Sequence, residues 1–300
     1  MKKAFLLGLF SLFCLLNLSV NGQNFALDLD GVNDKIGIAD ATVLNPTSAI
    51  TVEAWINADT WKSSVWAGTI IGKQAGSPDR GYCLTVGEGG KAEFTVSIGN
   101  VWQKATSPAI MGLTAWYHLA GVYDGTSIKI YINGILQGTT AATGVISAAT
   151  GTTMYIGENP TWTGRFFDGK IDEIRIWNID RTGTEIAATM GTELAGSETG
   201  LVGYWNMNEG TGTSVADSTS NANNGTLLNM DAATDWVPGY VAAASDIGVI
   251  GIARPSIFGS GFGSGFGLGS GLGFGSGFGL GSGAGFATGS GLGLGFSATT

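Results

Sequence analysis

Two stretches of the sequence carry oxygen-bearing side chains at close spacing. Asp30, Asn33 and Asp34 share one turn, and Asp217 and Asn221 share a later loop that is rich in Asp and Asn. Hard cations such as calcium prefer several carboxylate, amide and carbonyl oxygens at one point. A calcium site is therefore one interpretation of these residues. The other is that the side chains only form Asx turns with their own backbone, and the residue types leave both open.

Motifs for covalent or metal-dependent catalysis are absent from the sequence. It contains no Gly-x-Ser-x-Gly, His-Glu-x-x-His or Cys-x-x-Cys segment, which are the spacings that hydrolase nucleophiles, zinc sites and redox pairs use. The single histidine, His118, and the cysteine at Cys83 both lie in strand-like runs. We expect both to be packed side chains, and we predict no catalytic residue.

Tryptophan is the residue type most suited to binding a ligand here. Four of the nine tryptophans lie in strand-like runs and are predicted to be packed: Trp55, Trp116, Trp177 and Trp205. Four others lie in or beside predicted loops and are the candidate ligand-binding residues: Trp61, Trp66, Trp102 and Trp162. Aromatic side chains on loops suit recognition, and Trp162 is expected to be the most exposed. The alternative for each is a lid over the core.

The first residues are typical of an export signal. Lys2 and Lys3 precede an apolar run, and small residues precede a cleavage point after Gly22. The chain is therefore predicted to be secreted, and cleavage leaves one cysteine and no intramolecular disulfide. No other segment is long and apolar enough to span a membrane. With 23 acidic against 14 basic residues and a net charge of −9, the composition argues against a nucleic-acid partner.

Residues 24–180 read as short strands separated by turn signals. Apolar residues alternate with polar ones in Ile50–Ile56, which is the period of a half-buried strand. Asp124-Gly125 and Asn133-Gly134 separate three strand-like runs, and Asn-Gly is a strong signal for a type I′ hairpin. Three strands joined by tight turns form an antiparallel meander, so the sequence predicts an all-β fold.

Four segments resemble the concanavalin A-like lectin/glucanase superfamily, and within it the bacterial secreted laminin G-like group. They are residues 25–34, 50–56, 116–125 and 167–178. This resemblance implies an antiparallel two-sheet jelly-roll sandwich over residues 23–190. It also implies that the strand of Asp172 lies beside the first strand, which adds Asp172 to the candidate calcium ligands.

The remaining chain divides into two further segments. Residues 191–245 are predicted either to add strands to the sandwich, which we favour, or to be a truncated second copy. Residues 246–300 are predicted to be a low-complexity tail, in which every second residue from Gly259 to Gly285 is glycine, alternating with Ser, Phe, Leu and one Ala. Such glycine density favours a disordered tail, while silk-like stacking of its apolar residues is the alternative.

Catalysis by two carboxylates is the main alternative function that the resemblance raises. Glucanases of this superfamily carry spaced acids on one strand, whereas Asp172 and Glu173 are adjacent and would face opposite sides of a strand. We therefore predict a secreted, non-catalytic binding module for carbohydrate or an extracellular protein, with calcium as a candidate cofactor and adhesion as a role. The alternatives are a polysaccharide-degrading hydrolase or lyase, and a structural surface protein that associates through its tail.

Overall fold

The computed structural model describes residues 24–241, which form two antiparallel β-sheets packed face to face. This confirms the predicted all-β sandwich. The predicted signal peptide, residues 1–22, and the predicted tail, residues 246–300, lie outside the described residues.

Sixteen strands and one short α-helix make up the described chain. The strands are β1 (Phe25–Asp30), β2 (Lys35–Ile38), β3 (Ile50–Ala58), β4 (Gly68–Ala75), β5 (Arg80–Gly87), β6 (Lys91–Ile98), β7 (Val101–Thr106), β8 (Trp116–Tyr123), β9 (Ser127–Ile132), β10 (Ile135–Ala141), β11 (Met154–Ile156), β12 (Asp168–Trp177), β13 (Leu201–Trp205), β14 (Ser214–Val215), β15 (Gly225–Leu228) and β16 (Trp236–Pro238). The helix is α1 (Gly183–Thr189). No helix within residues 24–241 combines the length and hydropathy needed to cross a bilayer.

Each sheet has eight strands. Sheet A runs in the order β10-β9-β8-β3-β12-β1-β16, with β13 also paired to β12. Sheet B runs in the order β14-β15-β2-β11-β4-β5-β6-β7. Strand β12 pairs with β1 along its first half and with β13 along its second half. A bulge at Glu173, whose φ is +53°, separates the two halves, as an inserted residue does in an antiparallel ladder.

The predicted meander is confirmed as β8, β9 and β10. Asn133 and Gly134 join β9 to β10 with φ values of +50° and +73°, the left-handed backbone that a type I′ turn requires. Asp124 organises the preceding turn, because its carboxylate accepts hydrogen bonds from the backbone N–H groups of Thr126 and Ser127.

The core lies between the two sheets. It is formed by every second side chain of the strands, which points inward. In β3 the residues Ile50, Val52, Ala54 and Ile56 all point into it and are fully buried. On sheet B, Leu84, Phe94 and Val96 meet them from the other side. Burial of a large apolar side chain stabilises the fold by roughly 1.5–3 kcal/mol, so this contiguous core holds the sandwich together without a disulfide.

Residues 201–238 add strands to both sheets of this sandwich. Strands β13 and β16 extend sheet A, while β15 pairs with β2 in sheet B. Trp205 and Val215 enter the same core cluster as the residues of β3. This segment is therefore part of the one sandwich.

The outer surface of sheet A is covered by α1 and its flanking loops. A capping box starts the helix, because the Thr182 hydroxyl accepts from the Glu185 N–H and the Glu185 carboxylate accepts from the Thr182 N–H. Ile186 then packs against Ala120 and Val122 of β8. The part of sheet A beneath α1, around Ala120 and Val122, is consequently buried.

Candidate functional site

A concave pocket of about 270 Å³ lies on the outer surface of sheet B. Its floor is formed by β5 and β6, where Thr85 and Glu93 point outward while their neighbours Leu84 and Phe94 point into the core. Its rim carries the side chains Trp66, Trp102, Trp162, Lys104 and Arg165. We refer to it below as the tryptophan pocket.

Trp66 stands on a short 3₁₀ turn that precedes β4. Its neighbour Val65 is buried, and the Ala67 N–H donates to the Ser64 carbonyl at 3.0 Å. Val65 thus anchors the turn while Trp66 stays 46 % exposed. An exposed tryptophan on an anchored turn offers a ligand an apolar surface at little entropic cost.

Trp162 lies in the loop between β11 and β12, and Asn159 sets its position. The Asn159 carboxamide oxygen accepts hydrogen bonds from the Thr161 and Trp162 N–H groups, both at 2.9 Å. Its amide donates to Gln74 Oε1 of β4 at 2.5 Å. This Asx turn ties the loop to the sheet, so Trp162 is held in place over the pocket.

The tryptophans predicted to bind a ligand separate into two groups. Trp102 on β7 meets Trp162 edge to face, with ring centroids 6.2 Å apart, and Trp66 completes the rim. Trp61 does not line the pocket and packs against the core instead, which is the lid alternative. The expectation that Trp162 is the most exposed is wrong: it is half-buried, because Trp102 and Arg165 pack on it, and Trp66 is more exposed.

The floor of the pocket combines one satisfied charge with unsatisfied polar atoms. Glu93 is buried, accepts a hydrogen bond from the Thr106 hydroxyl at 2.8 Å and lies 3.1 Å from Lys104 Nζ. In contrast, the buried Thr85 hydroxyl on the floor and the buried Trp102 Nε1–H of the rim have no hydrogen-bond partner within residues 24–241. Most buried polar groups are paired in native proteins, so these two atoms are suited to a ligand's hydroxyl groups.

Arg165 is stacked within the rim. Its guanidinium carbon lies 4.4 Å from the Trp66 ring centroid and 4.9 Å from that of Trp162, which is within cation–π range. Its backbone carbonyl accepts from the Thr69 N–H of β4 at 3.0 Å. Both ends of the residue are therefore fixed. Sequence reasoning did not select Arg165, and the only signal was its place in the loop of Trp162.

The chemistry available in this pocket is limited. Burial raises the pKa of Cys83 to about 12, so the thiol on the pocket floor stays protonated and inert, as the sequence predicted. Glu93 is the only carboxylate among the described residues that line the pocket. Glycoside hydrolysis by the usual route needs two carboxylates about 5–9 Å apart. The arrangement is suited to holding a ligand by stacking and hydrogen bonds.

The adjacent acids Asp172 and Glu173 lie elsewhere and are buried. Asp172 accepts from the Tyr240 N–H and the Glu173 N–H, both at 2.8 Å. Glu173 pairs with Arg175 Nη2 at 2.5 Å and accepts from the Tyr204 hydroxyl at 2.8 Å. These contacts bind chain segments together across β12, so both acids have structural partners.

The candidate calcium ligands fall into three separate places. Asp30 and Asp34 line a cleft of about 310 Å³ at the end of β1, together with Asp28, Asp59, Asp168 and Asp235. Asp172 is not among the residues of this cleft, since β1 places Asp30 opposite Asp168. Burial, reinforced by Asp30, Asp235 and Asp28, raises the pKa of Asp34 to about 6.

The oxygens of the candidate ligands are largely used by the chain itself. Asp30 Oδ1 accepts from the N–H groups of Val32, Asn33 and Asp34, and Asp217 accepts from four N–H donors of neighbouring segments. Asn221 donates its amide to the Val202 carbonyl. No three acidic, His or Cys side chains within residues 24–241 are placed to hold a metal ion. Calcium binding therefore stays a prediction.

The fold and the pocket define a jelly-roll sandwich with a recessed site on one outer surface. A family model of the concanavalin A-like lectin/glucanases superfamily, of the laminin G type, matches residues 30–187, just over half of the chain. The chain belongs to this superfamily.

Individual relatives are distant. Mouse (Mus musculus) pappalysin-1 is 27 % identical over 160 residues, which are 49 % of this chain and 10 % of pappalysin-1. The chain thus spans about a tenth of that relative's length. A crystal structure from Bacteroides ovatus, of a protein for which carbohydrate binding has been proposed, has a TM-score of 0.56 and 22 % identity, covering 74 % of this chain and 61 % of that one.

A heptameric pentraxin from Limulus polyphemus has a TM-score of 0.43 and 17 % identity, covering 56 % of this chain and 82 % of the pentraxin chain. These likenesses to solved structures concern the fold.

Proposed function

We propose that this chain is an extracellular, non-catalytic carbohydrate-binding protein whose site is the tryptophan pocket. The observation that carries the proposal is the convergence of Trp66, Trp102 and Trp162 around one recess on the outer surface of sheet B. Pockets that bind small ligands are lined by aromatic groups with a few well-placed polar atoms. A sugar ring offers the matching surfaces, with apolar C–H faces and hydroxyl groups at its edges.

The polar atoms of the pocket support a hydroxylated ligand over a purely apolar one. The Thr85 hydroxyl can donate or accept, while the Trp102 Nε1–H can only donate. Both lack partners within the described chain. Both atoms are already buried, so an apolar ligand would leave them unpaired and gain no hydrogen bond from them. A sugar hydroxyl would satisfy them.

The likeness to the Bacteroides ovatus protein supports the same class of ligand, although a shared fold does not fix a function. The lone Glu93 carboxylate, held by Lys104, supports binding without hydrolysis. The predicted export signal supports an extracellular location, where adhesion to glycans would take place.

A glycan-binding screen of the purified full chain tests this proposal. We expect at least one polysaccharide to bind by isothermal titration calorimetry and to release no reducing sugar on prolonged incubation. Trp162→Ala should weaken binding about 30-fold, because truncating a central tryptophan typically costs about 2 kcal/mol or more.

Trp116→Ala is the matched control, since Trp116 lies on sheet A, away from the pocket. Equal losses in the two variants, or unchanged binding by Trp162→Ala, would count against the pocket as the site. Release of reducing sugar would favour the hydrolase alternative.

A further inference from the structure

Arg165 has an unpaired charge in the tryptophan pocket. Most lysines and arginines of the described chain form an ion pair, including Lys104 of the same rim. No carboxylate of residues 24–241 lies within ion-pair distance of Arg165, and none of their oxygens accepts a hydrogen bond from its guanidinium. Arg80 and Lys62 also lack an ion pair, but neither lines the pocket.

The guanidinium of Arg165 contacts aromatic rings, and its N–H donors have no oxygen partner within residues 24–241. The indoles of Trp66 and Trp162 lie 4.4 and 4.9 Å from its guanidinium carbon. Stacking uses the flat faces of a guanidinium, whereas its N–H donors point outward in the plane. Those donors match two oxygens of a carboxylate or sulfate, and the stacked geometry reduces the entropy lost on binding.

The other charges of the pocket do not cancel that of Arg165. Glu93 is already compensated by Lys104 at 3.1 Å and by hydrogen bonds from Thr106 and Thr95. Cys83 on the floor stays a neutral thiol because burial raises its pKa. The pocket therefore carries a local positive charge in a chain whose net charge is −9.

We infer, on the basis of the proposed function, that the tryptophan pocket selects an acidic carbohydrate, whose anionic group binds Arg165 while its ring contacts the tryptophans. The shared chemistry is a carboxylate, as in a uronic acid, or a sulfate ester. The hydroxyl groups of a neutral sugar can accept from the guanidinium but leave its charge uncompensated, which disfavours a neutral sugar relative to an anionic one.

Matched ligand pairs test this without altering the protein. Polygalacturonate is compared with its fully methyl-esterified form, and dextran sulfate with dextran, by calorimetry on the full chain. We expect the acidic member of one pair to bind about 10- to 100-fold more tightly, as a charge-assisted, two-point hydrogen bond allows. The pair that discriminates identifies the group as carboxylate or sulfate. The preference should shrink at high ionic strength.

Arg165→Gln and Arg165→Lys then assign the preference to one side chain. We expect Arg165→Gln to abolish the preference for the acidic member, and Arg165→Lys to restore only part of it, because lysine lacks the planar fork. Arg80→Gln is the matched control, since Arg80 is also without an ion pair but lies outside the pocket, and it should bind like the original chain. Thermal melts verify that each variant is folded.

The outcomes separate this inference from the proposed function. If a neutral glycan binds through Trp162 and Arg165→Gln changes nothing, the acidic preference is overturned while the carbohydrate site stands. A preference for acidic ligands that survives Arg165→Gln also overturns the role of Arg165. If no glycan of either kind binds, both proposals fail together.

Discussion

The outer surfaces of the two sheets differ in how far their side chains are covered by other parts of the chain. On sheet A, Glu53 is fully buried, with Arg181 Nη1 2.9 Å and His118 Nε2 3.2 Å from its carboxylate oxygens. Helix α1 and Tyr240 cover this surface. On sheet B, Thr85 and Trp102 line an open recess instead.

Tryptophans show the same contrast. Trp55 on sheet A donates its Nε1–H to the Met190 carbonyl at 2.7 Å and is stacked against Tyr240 at 3.5 Å between ring centroids. Trp102 on sheet B lines the pocket instead, and its Nε1–H has no hydrogen-bond partner among the described residues, as is also true of Trp177 on sheet A. The comparison indicates that the covered charges and rings of sheet A stabilise the fold, whereas the aromatic rim of sheet B is left for a ligand.

Removing the charge of Glu53 on sheet A should have the largest effect on stability. Burial raises the pKa of Glu53, but His118, Arg175 and Arg181 outweigh it and hold the pKa at about 2. Glu53→Gln leaves the buried Arg181 without its counter-charge, while Arg175 keeps Glu173. We therefore expect a loss of about 3–5 kcal/mol in the free energy of unfolding, measured by urea denaturation.

The control is Glu88→Gln, because Glu88 is solvent-exposed and pairs only with Lys91. We expect it to change stability by less than about 1 kcal/mol. Comparable effects of the two substitutions would mean that the charges under α1 do not stabilise the fold.

The pH dependence of stability tests another buried acid of sheet A. Burial, opposed by the Tyr240 N–H and reinforced by the charge of Glu173, raises the pKa of Asp172 to about 8 from an ordinary 3.8. The folded chain then binds more protons than the unfolded chain between these values. The free energy of unfolding should therefore fall by more than about 1 kcal/mol as pH rises from 5 to 8, and level off above that.

Asp172→Asn removes this titration, so its stability should decline less steeply over the same range, whatever the substitution costs at a single pH. Glycan binding should be unchanged, because Asp172 does not line the tryptophan pocket. Parallel pH profiles for the original chain and the variant would contradict the raised pKa.

Two substitutions of tryptophan by phenylalanine sharpen the comparison directly. Each keeps an aromatic ring and removes an Nε1–H donor. Trp55→Phe should lower stability by about 1–2 kcal/mol and leave binding unchanged, because it orphans the Met190 carbonyl. Trp102→Phe should leave stability almost unchanged and weaken glycan binding about fivefold, the equivalent of about 1 kcal/mol. A loss of glycan binding in Trp55→Phe together with a loss of stability in Trp102→Phe would contradict the comparison.

Calcium should have the smallest effect. If the cleft of Asp30 and Asp34 binds calcium, the melting temperature should rise by about 2–4 °C over that in chelator. Asp30→Asn should reduce the rise. An equal melting temperature in calcium and in chelator would contradict the calcium prediction and indicate that these acids only form turns.

The strands were predictable because the signals that form them are local. The alternation of Ile50–Ile56 assigns each side chain to a face, and Asn133-Gly134 tolerates the positive φ values that a type I′ turn requires. Trp55 was predicted to be packed because it lies within a strand-like run.

The composition of the pocket was less predictable, because sheet register assembles it from distant segments. Lys104 reaches Glu93 only through the pairing of β6 with β7, and Arg165 stacks on Trp66 from a loop about 100 residues away. Sequence patterns likewise could not show that the Tyr240 N–H donates a hydrogen bond to the Asp172 carboxylate. Residue types suggested three tryptophans of the site, but the fold alone combines them with Arg165.

A crystal structure of the full chain with its best-binding glycan tests the central claim most directly. We predict a sugar ring between Trp66, Trp102 and Trp162, with hydroxyl groups on the Thr85 hydroxyl and Trp102 Nε1–H. A sugar bound on sheet A or in the cleft of Asp30, with an empty tryptophan pocket, would contradict the account.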